Sequence, residues 1–303
     1  MRVVFMGTGE IGLPTLEWLL ATPKHDVVGV VTQPDRPVGR RQILTPPRVK
    51  ILAGEAGVSV LQPVKVRLPE ALAEIRALGP EIIVVMAYGQ ILPKSLLDMP
   101  PQGCLNLHAS LLPKFRGASP INAAILAGEP VTGITVMQMD AGLDTGDMIL
   151  KHEIPIGPTE TAGSLHDRLA LLGPGILQES LDLIAAGKAE RIPQDNSLAT
   201  YCGKLDRDSG RIDWKQPADF IERQIRAMHP WPGAFTVLPD GRKLKIHQAH
   251  IVECRGEPGK ILDAGKSRLV IAGNSGSVEL EIVQPEGRKP MSASEFLRGY
   301  ALA

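Results

Sequence analysis

One short segment combines the residue types that the transfer of an acyl group requires. It covers residues 104–110 and reads CLNLHAS. Side chains alternate along a strand, so Asn106, His108 and Ser110 are predicted to share one face near the strand's carboxyl end. There an Asn amide and an imidazolium could stabilise the oxyanion that forms when an amine attacks a carbonyl. For Asn106 and His108 alone, a buried amide beside a hydrogen-bonded core histidine explains the pattern equally well.

A second segment supplies carboxylates. Residues 139–147 read MDAGLDTGD, and the spacing of the three Asp residues could be that of a calcium or magnesium loop. The segment lacks the glutamate of a helix-loop-helix calcium site and lies between predicted strands, so a metal site is disfavoured. Asp144 is predicted instead to orient His108 and to favour its charged form. The same carboxylate could accept the proton of an attacking amine, directly or through water.

The sequence contains no Ser or Cys in a nucleophile-elbow setting, because G-x-S-x-G is absent. This favours direct transfer between two bound substrates over a covalent intermediate. Much of the acceleration would then come from holding the two reactants together.

A glycine motif near the N-terminus suggests a different chemistry. Residues 7–12 read GTGEIG, which matches G-x-G-x-x-G and could hold a pyrophosphate at a helix N-terminus. A nicotinamide dinucleotide also needs an acid at the end of the second strand, and Asp35 follows Pro34 in a doubtful place. A tight glycine turn is therefore favoured, and a dinucleotide-dependent oxidoreductase stays as a distant alternative.

Short apolar runs alternate with helical patterns through the first part of the chain. This alternation predicts an α/β fold, a doubly wound and mainly parallel sheet that binds ligands at the carboxyl ends of its strands. The predicted strands cover residues 3–6, 27–31, 58–61, 82–86, 103–108 and 134–139, and the predicted helices cover 13–20, 68–78, 121–126 and 161–186.

The later part of the chain has a different pattern. Residues 188–207 are polar and aperiodic and are interpreted as a linker. One helix at 218–228 and short β-rich runs at 234–238, 243–252, 268–271 and 278–283 follow, which predicts a small β-barrel. The predicted division is therefore a first domain at 1–187, a linker at 188–207 and a second domain at 208–303.

Composition excludes several classes of protein. The 303 residues carry 33 Lys and Arg against 33 Asp and Glu, and 44% are hydrophobic. That balance excludes a disordered segment and a uniformly basic nucleic-acid coat. Three cysteines without C-x-x-C spacing argue against a disulfide framework or a zinc site and fit a reducing cytoplasm. The apolar runs are too short for a membrane span, so no membrane association is expected.

Positive charge is nevertheless clustered in two places. Residues 35–50 contain five basic residues against one Asp, and a second cluster lies at 242–245. Each patch alone is equally well explained as a solvated loop, but two patches in different domains favour a polyanionic partner.

Taken together, Asn106-x-His108, Ser110-Leu-Leu-Pro113, Arg116-Gly117 and Asp144 resemble the 10-formyltetrahydrofolate-dependent formyltransferases. Further segments resemble the branch that acts on an aminoacylated tRNA, namely TQPDRP from Thr32, GASPI from Gly117, the stretch from Lys204 to Trp214, and WPGA from Trp231. The similarity runs nearly from end to end. It implies a Rossmann-like catalytic domain followed by a smaller oligonucleotide-binding (OB-like) barrel that contacts tRNA.

The resemblance also implies roles for individual residues. Asn106, His108 and Asp144 match the catalytic positions. The implied folate contacts are Ser110, Leu111, Leu112, Pro113, Tyr88, Gln90, Leu92 and Asp140. The implied RNA contacts are Arg36, Arg40, Arg41, Arg48, Lys50, Lys204, Arg242, Lys243 and Lys245.

The implied reaction moves a formyl group from 10-formyltetrahydrofolate, as co-substrate and without a metal, to the α-amino group of methionine on initiator tRNA, for translation initiation. A cytoplasmic monomer is expected. The main alternative is a formyltransferase for a small amine, such as glycinamide ribonucleotide or an amino sugar, which would need neither the arginine-rich segment nor the last hundred residues. A regulatory RNA-binding protein with an inactive site is a third.

Overall fold

The computed structural model of the protein describes residues 1–39, 41–238, 240–265 and 267–300. The chain forms two compact units. The first consists of Met1–Gly117, Val131–Ile154 and His166–Tyr201, and the second of Ala118–Pro130, Pro155–Leu165 and the chain from Cys202 onward. The predicted boundaries at residues 187 and 208 stay a prediction.

A seven-stranded sheet forms the centre of the first unit, in the order β10-β9-β7-β6-β1-β2-β5. Strands β1, β2, β5, β6 and β7 are parallel to one another, whereas β9 is antiparallel to β7. Strands β3 and β4 lie outside this sheet and pair as a short hairpin, and β8 also lies outside it. The ten strands are β1 (Arg2–Gly7), β2 (Asp26–Val31), β3 (Arg36–Val38), β4 (Ile43–Thr45), β5 (Val60–Leu61), β6 (Ile82–Met86), β7 (Cys104–His108), β8 (Arg116–Gly117), β9 (Val131–Gln138) and β10 (Met148–Pro155).

The middle of this sheet is buried because its strands are continuous apolar runs rather than alternating ones. All five residues of β6 are buried, and β1 is buried from Val3 to Gly7. Such runs are typical of parallel strands that are covered on both faces. The chain leaves β1 toward β2 on one side and later returns to β6 on the other, so the carboxyl ends of β1 and β6 form the switch point of the sheet.

In the part of the chain that the structure describes, eight α-helices connect and cover the strands, and three short 3₁₀ helices lie at Glu10–Gly12, Asn196–Leu198 and Asp208–Gly210. The α-helices in the described residues are α1 (Leu13–Ala21), α2 (Arg48–Glu55), α3 (Pro69–Ala77), α4 (Lys94–Leu97), α5 (Pro120–Ala127), α6 (Ala162–Ala185), α7 (Ala218–Ala227) and α8 (Ala293–Gly299). None of the helices in these residues is long and apolar enough to cross a membrane.

The second unit is built on an antiparallel sheet in the order β12-β13-β16-β15-β14, with β17 paired to β16. Helices α5 and α7 pack together in this unit, where Asn122 donates to Ala227 O at 2.7 Å and Arg223 to Leu126 O at 3.1 Å. The strands from residue 201 onward are β11 (Tyr201–Cys202), β12 (Ala234–Val237), β13 (Lys243–Val252), β14 (Ile261–Ala264), β15 (Leu269–Ala272), β16 (Ser277–Pro285) and β17 (Met291–Ser292).

The predicted fold class, a mainly parallel sheet with helices followed by a smaller antiparallel β-domain, is confirmed. Closure of the second sheet into a barrel stays a prediction. The sequence reasoning missed α2, because the basic residues Arg48 and Lys50 hide a helix whose buried side is Val49 and Ala53. It also missed β10, β14 and α8.

Candidate active site

Strand β7 supplies two of the predicted catalytic side chains. Asn106 lies opposite Met137 of β9, and His108 lies opposite Thr135. Being two residues apart, they point to the same face. The His108 side chain is only 6% exposed, and Asn106 is half-buried.

Asp144 reaches these residues by an indirect route. Because β9 is antiparallel to β7, Gln138 at its end lies opposite Leu105, and the following loop begins beside the amino end of β7. The loop must therefore fold back to bring Asp144 to His108. Asp144 itself has φ 53°, a left-handed conformation that Asp tolerates better than most residues.

The three side chains converge as the sequence predicts. Asp144 Oδ2 lies 3.8 Å from His108 Nδ1 and accepts the Gly117 backbone N–H at 2.8 Å. Asn106 Nδ2 donates to Asp144 Oδ1 at 3.4 Å, longer than the usual limit of about 3.2 Å. This weak bond leaves the Asn106 amide available to another acceptor.

The contacts of His108 determine which ring nitrogen carries a hydrogen. Nε2 lies 2.9 Å from the Phe115 carbonyl oxygen, which can only accept, so Nε2 is the donor. A neutral ring would then present the lone pair of Nδ1 to the Asp144 carboxylate, whereas an imidazolium presents a second N–H. Phe115 has φ 60°, an uncommon conformation that turns its carbonyl toward the ring.

Buried hydrogen bonds hold the loop after β7, residues 110–113. Ser110 is fully buried, donates to Lys114 O at 2.7 Å and accepts at its own carbonyl from Thr135 Oγ1 at 2.7 Å. Thr135 Oγ1 also accepts the Leu112 N–H at 3.1 Å. Leu111 and Pro113 are half-buried, and Leu112 is fully buried. Ser110 and Leu112 therefore shape this loop rather than line its surface.

Strand β10 adds a lysine to this loop. Lys151 Nζ donates to the Leu112 carbonyl oxygen, and burial lowers the pKa of this amine. The contact ties the apolar loop to β10.

The segment Tyr88–Leu92 presents little side-chain polarity. Tyr88 is 2% exposed, and burial raises the pKa of its phenol to about 12. The Gln90 amide is engaged by the backbone of Val66 and Pro63, at 2.8 and 3.1 Å. Leu92 is buried, but Ile91 is 87% exposed. This segment thus offers an exposed apolar side chain and backbone groups, and the Gln90 side chain serves the fold.

The glycine motif has a structural explanation. The backbone N–H groups of Thr8 and Gly9 both donate to Ala87 O at 3.2 Å, so they are already occupied. A Cβ on Gly9 would lie 3.0 Å from the Cβ of Ala87, and one on Gly7 would lie 2.9 Å from Met86 O. The glycines therefore allow β1 and the loop after β6 to approach closely, and they do not form a free pyrophosphate cradle.

Asp140 stabilises the acidic loop. It is exposed, and its carboxylate accepts from Thr145 Oγ1 at 2.7 Å and from the Gly142 N–H at 3.0 Å. Across the described residues, no group of three or more His, Cys, Asp or Glu side chains could hold a metal ion. Asp140 therefore acts within its own loop in this structure.

The basic residues near the N-terminus are divided between the β3–β4 hairpin and helix α2. Arg36 donates to Gln33 Oε1 at 3.0 Å, and Lys50 pairs with Asp35 at 2.8 Å. Hydrogen bonds from Gln62 and then Lys50 hold the pKa of Asp35 below its ordinary value. Arg41 and Arg48 are exposed, and Arg40 lies outside the described residues.

Two of the four predicted RNA contacts in the second unit lie on β13. Lys243 and Lys245 are two apart on this strand and share a face, and the Lys243 amine lies 3.3 Å from the centre of the Phe235 ring. Arg242 pairs with Asp240 and covers the Tyr300 ring at 4.8 Å. Lys204 is exposed. The structure does not bring Lys204 into contact with the β13 group.

Two residues to which the sequence assigned no role support Asp144, namely Arg116, which is part of the motif that carries the resemblance, and Gln194. Arg116 is 1% exposed, and its guanidinium donates to Gln194 Oε1 at 2.8 Å. The Gln194 amide in turn donates to Asp144 O at 2.8 Å. Gln194 lies in the segment that the sequence analysis interpreted as a linker, where no periodic pattern indicates a structural role. A charged residue, Arg116, directly after the apolar loop that follows β7 was the one feature of the sequence that could have pointed to these contacts.

Cys104, the first residue of β7, offers no activated thiol. Cys104 is buried, and desolvation raises the pKa of its thiol to about 12. A thiolate is the reactive form of cysteine. Cys104 is therefore not a nucleophile at neutral pH.

Residues 1–181 match the family model described as "Formyl transferase", and residues 204–301 match "Formyl transferase, C-terminal domain". The chain is 51% identical over 303 residues to the methionyl-tRNA formyltransferase of Geotalea daltonii, covering 100% of this chain and 96% of the relative. Further methionyl-tRNA formyltransferases, including those of Geobacter sulfurreducens and Moorella thermoacetica, are 51% and 47% identical to this chain, over 95% and 97% of their length.

Solved structures are similar in fold. The sugar 3N-formyltransferase WlaRD, solved with dTDP and 5-N-formyl-THF, superposes with a TM-score of 0.69 at 19% identity, over 95% of this chain and 99% of that one. HypX from Aquifex aeolicus, solved in complex with tetrahydrofolic acid, gives a TM-score of 0.63 at 19% identity over 98% of this chain. This chain spans about half the length of HypX, 47%. At such identities the likeness shows the fold alone.

Proposed function

The chain belongs to the methionyl-tRNA formyltransferase family, and on that premise we propose that Asn106, His108 and Asp144 carry out its reaction. The reaction transfers a formyl group from 10-formyltetrahydrofolate to the α-amino group of methionyl-tRNA. One observation carries the residue assignment: at the end of β7 the Asp144 carboxylate lies 3.4 Å from the Asn106 amide and 3.8 Å from the His108 imidazole.

The residues present fit a folate. Residues 88–92 and 110–113 combine the exposed Ile91, the half-buried Leu111 and Pro113, and backbone polar groups, which suits a flat ring with polar edges. We propose that these two segments hold the pterin, with Tyr88, Gln90, Leu92 and Ser110 acting through the backbone they stabilise. When bound, the folate supplies a formyl carbon that forms a bond to the methionine nitrogen as its bond to the folate nitrogen breaks, while one proton leaves the amine and one reaches the folate nitrogen.

Asn106 and His108 supply the positive ends of two dipoles. As the amine adds to the formyl carbon, negative charge grows on the formyl oxygen, and donors fixed in advance stabilise it. The Asn106 amide is the freer donor because its bond to Asp144 is long. The imidazolium of His108 provides the second donor through its Nδ1–H, because Nε2 is engaged by Phe115 O at 2.9 Å and Nδ1 lies 3.8 Å from Asp144 Oδ2, too far for a hydrogen bond.

Asp144 has two tasks. Its carboxylate stabilises the charged form of His108, and an oxygen atom held by the Gly117 N–H faces the same site. We propose that this carboxylate also accepts the proton that the amine loses, directly or through a water molecule.

The residue assignment is tested with the full chain, 10-formyltetrahydrofolate and methionyl initiator tRNA. His108→Ala and Asn106→Ala are each expected to lower kcat by about 10² to 10⁴. His166→Ala, on a half-buried histidine of α6, is the matched control and should leave kcat unchanged. Full activity of His108→Ala would refute the assignment, and equal activity on glycinamide ribonucleotide would favour a small-amine enzyme.

We propose that the substrate is the initiator species and that the second unit and the β3–β4 hairpin bind it. The supporting observations are the exposed Arg41, Arg48 and Lys204 and the cationic face of β13. We further propose a cytoplasmic monomer whose catalytic domain ends near residue 187, followed by a linker to residue 207. Light scattering of the free protein tests the monomer, and weaker tRNA binding at higher salt tests the phosphate contacts.

A further inference from the structure

The side chain of Gln194 uses all of its hydrogen-bonding capacity beside the candidate catalytic carboxylate. Its Nε2 donates to Asp144 O and to Gly146 O, each at 2.8 Å. Its Oε1 accepts from Arg116 Nε at 3.1 Å and from Arg116 Nη2 at 2.8 Å. A primary amide has two N–H groups and two lone pairs on its oxygen, so every position is used.

These bonds close a ring around Asp144. Arg116 precedes Gly117, and the Gly117 N–H donates to Asp144 Oδ2 at 2.8 Å. The dipeptide 116–117 therefore holds the Asp144 side chain directly and the Asp144 backbone through Gln194. Arg116 is itself fixed, because it also donates to Asn196 Oδ1 at 2.8 Å and to Tyr201 Oη at 3.2 Å.

The turn that carries Asp144 needs such support. Asp144 is a non-glycine residue with φ 53°, and such conformations persist when neighbouring groups fix them. The preceding residue, Leu143, is 57% exposed, so little packing holds that side of the loop. Hydrogen bonds to the carbonyls of Asp144 and Gly146 fix the orientation of the turn directly.

We propose that Gln194 is a positioning residue, which sets the backbone of Asp144 so that its carboxylate meets His108 and Asn106 together. The inference rests on the role of Asp144 proposed above. Gln194 acts through Asp144 and not through a substrate, so its loss should lower kcat while the KM values for folate and tRNA stay nearly constant.

The test is a double-mutant cycle on the full chain with Gln194→Ala, Asp144→Ala and the double variant. Single-turnover formylation with enzyme in excess gives rate constants even for slow variants. Gln194→Ala is expected to lower the rate by about 10- to 100-fold, as a displacement of about 1 Å does, and to change each KM less than threefold. In the Asp144→Ala background the same substitution should have less than a twofold effect, because there is no carboxylate left to position.

Two further variants separate positioning from folding. Gln194→Glu keeps an oxygen toward Arg116 but loses both donors, so it should unfold near the wild-type temperature and still lose kcat. Gln178→Ala, on an exposed glutamine of α6, is the matched control, with wild-type kcat expected.

Each outcome decides a separate point. Wild-type kcat in Gln194→Ala or Gln194→Glu would overturn the positioning role, as would an equal loss in both backgrounds of the cycle. A wild-type rate in Asp144→Ala would instead overturn the proposed role of Asp144, and with it the inference.

Discussion

Gly146 offers a sharp test of how closely the Asp144 loop must fit against β9. A Cβ added at Gly146 would lie 1.7 Å from Gln138 O, whereas an ordinary contact begins at 3.4 Å. The nearest atoms to the added Cβ belong to the backbone of Gln138 and Asp140, so no side-chain rotation can relieve the overlap. Gly146→Ala must therefore push the loop outward by more than 1 Å. A displacement of about 1 Å costs about 10²-fold in rate, or about 2.7 kcal/mol of transition-state stabilisation.

The expected result for Gly146→Ala is therefore a kcat lower by about two orders of magnitude, together with a lower unfolding temperature. Formylation of methionyl-tRNA at saturating concentrations of both substrates measures the first, and calorimetry measures the second. Gly175→Ala in α6 is the matched control, because its added Cβ meets no atom within 4 Å and alanine favours a helix. The reasoning fails if Gly146→Ala retains kcat within threefold of the wild type.

Three further predictions concern groups around the site. Thr135→Val leaves the Ser110 carbonyl and the Leu112 N–H without their partner, so the free energy of unfolding should fall by about 2 to 4 kcal/mol and KM for the folate should rise. An unchanged KM would show that other contacts set the shape of this loop. The Tyr88 Oη is buried and has no hydrogen-bond partner among the described residues, so Tyr88→Phe should be at least as stable as the wild type. Because folding raises the pKa of Tyr88 from 10.0 to about 12, the stability that this phenol contributes to the wild type is intact below pH 10 and falls from there toward pH 12. Denaturant titrations should therefore show a smaller loss of stability at alkaline pH in Tyr88→Phe than in the wild type. Identical dependence on pH in the two proteins would contradict this. Arg41→Ala should weaken tRNA binding and reduce the slope of log K against log salt by about 1, whereas Lys50→Ala should do less because Lys50 is paired with Asp35; equal slopes for both would show that the ion pair opens on binding.

The fold was predictable where hydrophobic pattern alone decides it. Runs such as residues 82–86 have one consistent explanation, a strand buried on both faces, and the structure confirms it. Asn106 and His108 were predictable as neighbours because the period of a strand is two. Helix α2 was not, since its polar and charged positions outnumber the two buried residues that define its inner side.

The residues that support the site could not be predicted from the sequence, because they act through contacts between distant parts of the chain. Gln194 meets Arg116 78 positions away and Asp144 50 positions away, and nothing in a local window reports such a contact. Gln90 shows the converse. The resemblance implies that Gln90 contacts the folate, but the Gln90 side chain is hydrogen-bonded to the backbone of Val66 and Pro63. Only the three-dimensional structure shows these bonds.

The β3–β4 hairpin also determines how the free protein should respond to a protease. It pairs through three residue couples, and Val38, Ile43 and Leu44 are each more than half exposed. A two-stranded ribbon is marginally stable by itself, so its amide hydrogens should exchange with deuterium early and trypsin should nick the chain after Arg41 before it attacks the sheets. Bound tRNA should shield this bond, so the rate of nicking becomes a direct readout of nucleic-acid occupancy that requires no catalysis.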